Sequence, residues 1–395
     1  MISVAEAKER IQNHIALQQI HWLPIAEAEG SILAEDISAP IDVPSFTNSS
    51  MDGYALFFEP ERKHWQVIGT IKAGEIANVP IQKGEAMRIF TGAMLPEGAN
   101  VVVQQEWIER EGDTIVLRKG EAENMLPLHN IRQKGAQCQA GTCILRAHTQ
   151  LEVGSIGLLA TVGIASVPVY APPTVALLMT GDELVPLGGH LQTGQIYEAN
   201  SALLKAYLRK IGIKTIESAL VKDQPEILTK SIENSLEKYD VLILAGGVSV
   251  GDYDFVPQCL AQNKVENLLY KVKQKPGKPL WVGKKGTKWV FALPGNPASV
   301  ATCFNQYLKP ALLQMMGHGL QVWQPNLTLP LKTPFSKKAG LTHLLKVKII
   351  AGEVIALVGQ ESFNLAAYNE ATHIAYLEEA KEYFAEGTLV PLFEW

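Results

Sequence analysis

Between residue 174 and about residue 316, short apolar runs alternate with helical stretches, and this alternation limits the possible folds more than any other feature of the chain. TVALLMTG reads as a buried strand, and ANSALLKAYLRKIG as an amphipathic helix that stops at Gly212. TIESALV is a strand, PEILTKSIENSLEKY a helix with Pro225 near its first turn, and DVLILAGG the next strand. LLYKVKQ and KWVFALPG follow, then a long helix from Pro297 to Met316. Strands joined by helical crossovers predict a three-layer α/β domain with a mostly parallel sheet, because each crossover lays a helix over a sheet face.

The flanking sequence has other rhythms. A chain of 395 residues is too long for one ordinary core, which points to two to four domains at about 100–200 residues each. Ser3-Val-Ala-Glu6 reads as a capping box opening a first helix. A Pro-, Ser- and Asn-rich loop, APIDVPSFTNSSMDGYAL, comes next. From about 64 to 120, HWQVIGTI, AMRIFTG, NVVVQQEWIER and DTIVLRK are short strands separated by glycines, as in a small all-β unit. LEVGSIGLLATVGIASVPVY returns to a helix and a strand, and APPT at 171–174 reads as a linker. The tail from about 322 shows helical periodicity only in LEEAKEYF, so a small β-domain is expected.

Charge and composition exclude some functions. With 35 basic and 40 acidic residues the formal charge is −5, which lacks the basic excess of a nucleic-acid binder. No segment approaches the roughly 18 uninterrupted apolar residues that span a bilayer. MISVAEAKERIQNHIALQQ has no signal-peptide core, so the expected compartment is the cytoplasm, without membrane association. Cys138, Cys143, Cys259 and Cys303 form no zinc-finger spacing and are expected as reduced thiols.

The chemistry gathers where strands end. In an open α/β sheet, ligands bind beyond the carboxyl ends of the strands. AGGVSVGDYDF follows the third strand there: Gly246, Gly247 and Gly251 allow backbone amides to approach an anion, with Asp252 and Asp254 just beyond. Asp182 and Glu183 follow the first strand, and Asp223 the second. Each acid alone also reads as a helix cap; three strand ends together read as a Mg²⁺ site, since the carboxylates would repel one another without a cation. Lys275 and Lys278 flank a Pro-Gly turn and suit an oxyanion, or are solvated lysines. In ALPGNPAS, Pro294 and Pro297 stiffen a loop around Gly295, and the amides at the following helix start, with Ser299, present donors to an anion or simply begin a helix. Asp52 and Thr91 sit in glycine-containing loops, and Arg132 and Lys134 in a basic turn, where spacing does not separate catalysis from turn formation.

Taken in order, SSMDGYA, RIFTGAMLPEGAN, NIRQKG, TGDELV, GQIYEAN, AGGVSVGDYDF, KPGKP and LPGNPAS resemble the MoeA family, which is related to the E domain of gephyrin and of plant Cnx proteins. The resemblance runs from about residue 3 to the C-terminus. It implies an α/β multidomain chain and an elongated homodimer. Its parts would be a discontinuous N-terminal domain (1–45 plus 136–170), a β-rich inserted domain (46–135), a MogA-like α/β domain (171–318) and a C-terminal β-barrel (319–395). It implies Mg²⁺-dependent insertion of molybdenum from molybdate into adenylylated molybdopterin, with AMP released. The pocket would be shared between the α/β domain of one subunit and the N-terminal loops of the other. Carried over residue by residue, it assigns Asp52, Thr91, Glu183, Asp223 and Asp254 to the acidic site, the last three to the metal. It assigns Gly246, Gly247, Ser249, Gly251, Lys275, Lys278, Pro294, Gly295, Pro297, Ser299 and Ser362 to the pterin, phosphate and molybdate pocket. A molybdopterin adenylyltransferase is an implied pathway partner.

The chain departs from the family pattern at several places. Thr47, Asn100 and Gln137 stand where acids are expected. Leu341 and Lys346 replace arginines, and QESFN replaces QGSGM, keeping Gln360 and Ser362. Gln137 cannot neutralise Mg²⁺, Leu341 cannot bind an oxyanion, and Lys346 keeps a charge without bidentate geometry. Three readings follow: a working insertase, a paralogue that binds molybdopterin or a protein partner as a scaffold, and a Mg²⁺-dependent hydrolase of a nucleotide pyrophosphate.

Overall fold

A computed structural model describes residues 1–121, 125–248 and 255–395. They form two compact units: Met1–Trp22 with Gly30–Ala34 and Pro168–Trp395, and Leu23–Glu29 with Glu35–Val167. Among the described residues no helix is long and apolar enough to cross a membrane.

The first unit is built on a six-stranded sheet. Its strands are β1 (Val175–Thr180), β2 (Ile216–Val221), β3 (Val241–Ala245), β4 (Glu266–Tyr270), β5 (Trp281–Lys285) and β6 (Lys288–Leu293). Their order is β2-β1-β3-β6-β5-β4. The first four are parallel, and β5 and β4 extend the sheet antiparallel. Every residue of β1 and β3 is buried, so these strands read as unbroken apolar runs rather than as alternation.

Alternate side chains of β1 feed two cores. Val175, Leu177 and Met179 pack with Leu204 and Leu208 of helix α1 (Asn200–Lys210). Ala176 and Leu178 pack with Leu228 and Ile232 of α2 (Pro225–Lys238) and with Cys259 and Leu260 of α3 (Val256–Gln262). These are the three layers that the alternation predicts. The first helix, Val4–Gln12, is capped by the Ser3 hydroxyl, which accepts the Glu6 amide at 3.1 Å, and buries Val4, Ala7 and Ile11 in the α1-side core.

The helical run from Pro297 is interrupted. An α-helix, α4 (Pro297–Cys303), passes into a π-helical turn at Phe304–Leu308 and resumes as α5 (Lys309–Met315). Pro310 has no N–H for the usual bond one turn back, and a wider turn before it accommodates that loss.

The C-terminal part is a second six-stranded sheet. Gln274–Lys275 pairs in parallel with Thr342–Ile350, which continues through His373–Leu377 and Leu389–Glu394 to Leu327–Pro330, while Glu353–Ala356 flanks Thr342–Ile350. A short strand donated by the α/β segment thus ties the two sheets together. The expected helix in LEEAKEYF does not form: Leu377 ends a strand and Tyr383–Phe384 begins another, with Leu377 and Phe384 buried in the β-core. Burial of those two side chains overrode a weak local helical preference.

The second unit holds a mostly antiparallel sheet in the order Val101–Gln104, Gly53–Leu56, Glu85–Ile89, His64–Ile71, Thr114–Leu117, Ile108–Glu111. It packs around Trp65, Leu56 and Ile115, and the helix Val153–Thr161 belongs to the same unit. Asn100 clasps the backbone of this unit: its Oδ1 accepts the Phe58 amide at 2.7 Å and its Nδ2 donates to the Phe58 carbonyl at 3.3 Å.

The end of β3 is the tightest point of the α/β sheet. Gly246 has φ +103°, and a Cβ there would lie 2.1 Å from the Thr180 carbonyl oxygen at the end of β1. Gly246→Ala is therefore expected to destabilise the chain by at least about 2 kcal/mol in urea unfolding. Gly212→Ala, at φ +87° with nothing within 4 Å, should cost only about 1 kcal/mol. Equal losses would show that backbone conformation alone, without the contact to Thr180, sets the effect.

Candidate active site

The carboxyl ends of β1, β3 and β6 meet at Gly246, whose amide donates to the Leu293 carbonyl at 3.2 Å. Beyond them opens a cavity of about 610 Å³. Loops from all three strand ends, the start of α4 and the C-terminal β-domain line it.

One wall is acidic. Glu183, after β1, and Asp223, after β2, both line the cavity. Asp223 is held by the Thr180 hydroxyl, which donates to its Oδ1, and its amide donates to Asp182 Oδ1 at 3.4 Å. Lys275 and Lys278, on either side of Gly277, line the same cavity. At φ +85°, a Cβ on Gly277 would come within 2.6 Å of Cys303 Sγ, so the lysine-bearing turn lies directly on α4. The cavity continues along Pro294, Gly295, Pro297 and Ser299, with Ser362 and Leu341 from the β-domain. Asn296 Nδ2 donates to Ser362 Oγ at 3.4 Å and joins those two borders.

One pocket thus collects Glu183, Asp223, Gly246, Gly247, Lys275, Lys278, Pro294, Gly295, Pro297, Ser299 and Ser362. Ser249, Gly251, Asp252 and Asp254 lie outside the described residues. Asp52 and Thr91 are in the second unit, where they form a pair of their own. The Thr91 amide and hydroxyl both donate to Asp52 Oδ1, at 2.8 and 2.7 Å. Those bonds, with the nearby Arg88 guanidinium, hold the Asp52 carboxyl below the usual carboxylate range.

Two expectations change with the geometry. The start of α4 presents fewer amides than its sequence suggests: Pro297 has no N–H, and the Ser299 amide already donates to the Asn296 carbonyl at 2.9 Å. Lys346, expected as a weaker substitute for an oxyanion-binding arginine, points into the protein. It is 1% exposed, and its ammonium donates to the carbonyls of Gly359, Glu361 and Asn364 at 2.6, 3.2 and 3.1 Å. Those are all the donors a lysine has. Burial lowers its pKa, and the Glu361 carboxylate opposes that.

Sequence spacing misses the groups that brace this pocket. Asn200 Nδ2 donates to the Gly295 carbonyl at 2.9 Å, and Thr180 holds Asp223. Beneath the lysine turn, Gln274 Nε2 donates to the Gly277 carbonyl at 3.0 Å, and the buried Tyr307 hydroxyl donates to Gln274 Oε1. Burial pushes the Tyr307 phenol well above its usual range, which keeps it a donor. The motifs GQIYEAN and KQKPGKP contain Asn200 and Gln274, but neither motif marks which residue braces and which lines.

Residues 2–163 match the family model of the MoeA N-terminal region (domain I and II), and residues 176–314 match that of a probable molybdopterin binding domain. A molybdopterin molybdenumtransferase of Staphylococcus epidermidis is 33% identical over 404 residues, covering 98% of this chain and 94% of that protein. One of Staphylococcus aureus is 33% identical over 370 residues, covering 92% and 87%. Among solved structures, the molybdopterin biosynthesis MoeA protein of Pyrococcus horikoshii is similar at a TM-score of 0.85 and 30% identity, covering 100% of this chain and 99% of that one. A second structure from the OT3 strain of that organism gives 0.80 and 27% over the full length of both chains.

Next to the pocket, His343 sits in a neighbouring cavity with Lys275 and Lys337. Burial first, then those two ammonium groups, lower its pKa from 6.5 to about 4. The folded state therefore resists a proton that the unfolded chain takes up, so stability is full above pH 6.5 and falls as the pH drops towards about 4. His343→Gln should remove that slope, gaining about 1 kcal/mol on wild type between pH 7 and pH 5 after allowance for solvent screening. Its ring signal in a nuclear magnetic resonance titration should move near pH 4; a midpoint near 6.5 would contradict the assignment.

Proposed function

The chain belongs to the MoeA family, and from that premise we propose that it transfers molybdenum from molybdate to adenylylated molybdopterin and releases AMP. The observation that carries this reading is a single pocket lined by two carboxylates, two lysines and two serines. A substrate that carries phosphates and reacts with a tetrahedral oxyanion needs both kinds of charge.

Mg²⁺ is part of the proposal. Among the described residues no three His, Cys, Asp or Glu side chains gather closely enough to hold a metal by themselves. Magnesium needs less, since one or two carboxylates suffice where water and substrate phosphates complete its shell. Glu183 and Asp223, which line the same pocket, fit that demand and would hold it. When bound, it would neutralise phosphoanhydride oxygens and the charge left on departing AMP.

The chain's own residues do the rest. Lys275 and Lys278 attract molybdate and hold it as point charges. Ser299 and Ser362 offer hydroxyls that fix its orientation. Thr180 keeps Asp223 turned towards the cavity, and Asn200 holds the Gly295 backbone at its edge. The fixed positions of these groups favour charge that develops on the phosphoryl and oxyanion oxygens, without reorganisation at the moment of reaction.

The departures from the family pattern do not favour a scaffold. Asn100 serves the backbone at Phe58, Thr47 Oγ1 accepts the Lys134 amide at 3.2 Å, and Lys346 is internal. A homodimer is also proposed, with the preorganised Asp52–Thr91 pair of one subunit acting at the pocket of the other. Supply of the adenylylated substrate falls to a molybdopterin adenylyltransferase.

In an assay with adenylylated molybdopterin, Mg²⁺ and molybdate, Glu183→Gln and Asp223→Asn should each lower AMP release by about 100-fold or more. Lys278→Ala should mainly raise the KM for molybdate, by about tenfold. AMP release from simple dinucleotides without molybdate would instead favour a hydrolase. If the site is shared between subunits, mixing inactive Asp52→Asn chains with inactive Asp223→Asn chains should restore part of the activity. No recovery in verified mixed dimers would overturn that arrangement.

A further inference from the structure

The ammonium of Lys346 is buried and lines none of the cavities described above, yet the loop it holds carries the pocket-lining Ser362. Its three carbonyl partners, on Gly359, Glu361 and Asn364, lie on both sides of Ser362. The loop is wrapped around a single cation, with the pocket-lining serine at its turn. Gln360 adds a second tie: its Oε1 accepts the Lys346 amide at 3.0 Å, and its Nε2 donates to the carbonyls of Lys346 and Leu357, each at 2.8 Å.

The same lysine reaches the other border of the pocket. Its ammonium lies 5.0 Å from the centre of the Tyr368 ring. The Tyr368 hydroxyl donates to the Ala298 carbonyl at 2.8 Å and contacts the Thr302 hydroxyl at 2.5 Å, both on α4. Asn296, just before α4, closes the circuit by donating to Ser362 Oγ at 3.4 Å. A compact ammonium suits this cage, because three rotatable donors meet three carbonyls that a planar guanidinium fork would not match.

We propose that Lys346 is a positioning residue of the oxyanion pocket, which sets Ser362 against Asn296 and the start of α4 by holding the 359–364 loop around its ammonium. The assignment rests on the reading of that pocket as a molybdate site. Lys346 acts through Ser362 and contributes no hydrogen bond to the ligand, since its three donors are in use. A lysine that replaces an expected arginine here has become part of the scaffold behind the site.

The test uses the full chain and molybdate as the probe, read by titration calorimetry and by molybdate-dependent AMP release. Lys346→Met should weaken molybdate binding about tenfold and raise its KM equally, with kcat within about twofold. Ser362→Ala should do much the same, and the double variant should be no worse than the weaker single one rather than about a hundredfold worse. Lys346→Arg should recover little of the loss, because a guanidinium fork does not match the three carbonyls. If Lys346→Met does not fold, Gln360→Ala unties the same loop and should show the same weakening and the same non-additivity with Ser362→Ala. Wild-type molybdate affinity in a folded Lys346→Met or Gln360→Ala chain, or additive losses in the double variant, would overturn the assignment alone. A wild-type chain that takes up no molybdate would overturn the reading of the pocket, and this assignment with it.

Discussion

The pocket depends on one close approach, that of Gly246 to the Thr180 carbonyl. Parallel pairing brings the ends of β1, β3 and β6 to one edge of the sheet, but a side chain at residue 246 would hold β1 and β3 apart. Without a Cβ the backbone can turn at φ +103° and bring Gly247 to the pocket at the strand ends. Asp223, Glu183 and the lysine turn line the pocket around that point.

The walls of the pocket are charged, and their supports are neutral or buried. Asp223 takes its orientation from a threonine hydroxyl, and the Lys275–Lys278 turn from Gln274 and Tyr307. Ser362 takes its position from Lys346 and Gln360. In a low-dielectric interior such hydrogen bonds are strong and hard to exchange for water. The supports can therefore hold these charged side chains in place.

The α/β architecture was legible because its signals are local and repeated. The unbroken apolar runs of β1 and β3, the helical periodicity of α1 and α2 and the glycine ends of the strands mark the sheet, its layers and its binding edge. Where one signal stood alone it misled. LEEAKEYF has helical spacing, but Leu377 and Phe384 are drawn into a β-core. The long helix from Pro297 reads as one element, yet Pro310 goes with a π-helical turn that spacing does not reveal. Lys346 read as a substitute for arginine that keeps the charge without bidentate geometry, because charge is visible in a sequence and burial is not.

The sequence by itself determined which residues stand at strand ends and which carry charge, because strand period, glycine turns and chemical identity are properties of short segments. It thereby placed Glu183, Asp223, Lys275, Lys278 and Ser299 near a common edge, and the order of its motifs identified the family. Only the tertiary structure decided which of these groups share a cavity and what holds each of them. The contacts of Thr180 with Asp223, Asn200 with Gly295 and Lys346 with the loop around Ser362 join segments 13 to 95 residues apart. Their partners are chosen by how sheets and helices pack, and no short stretch of the chain contains that information.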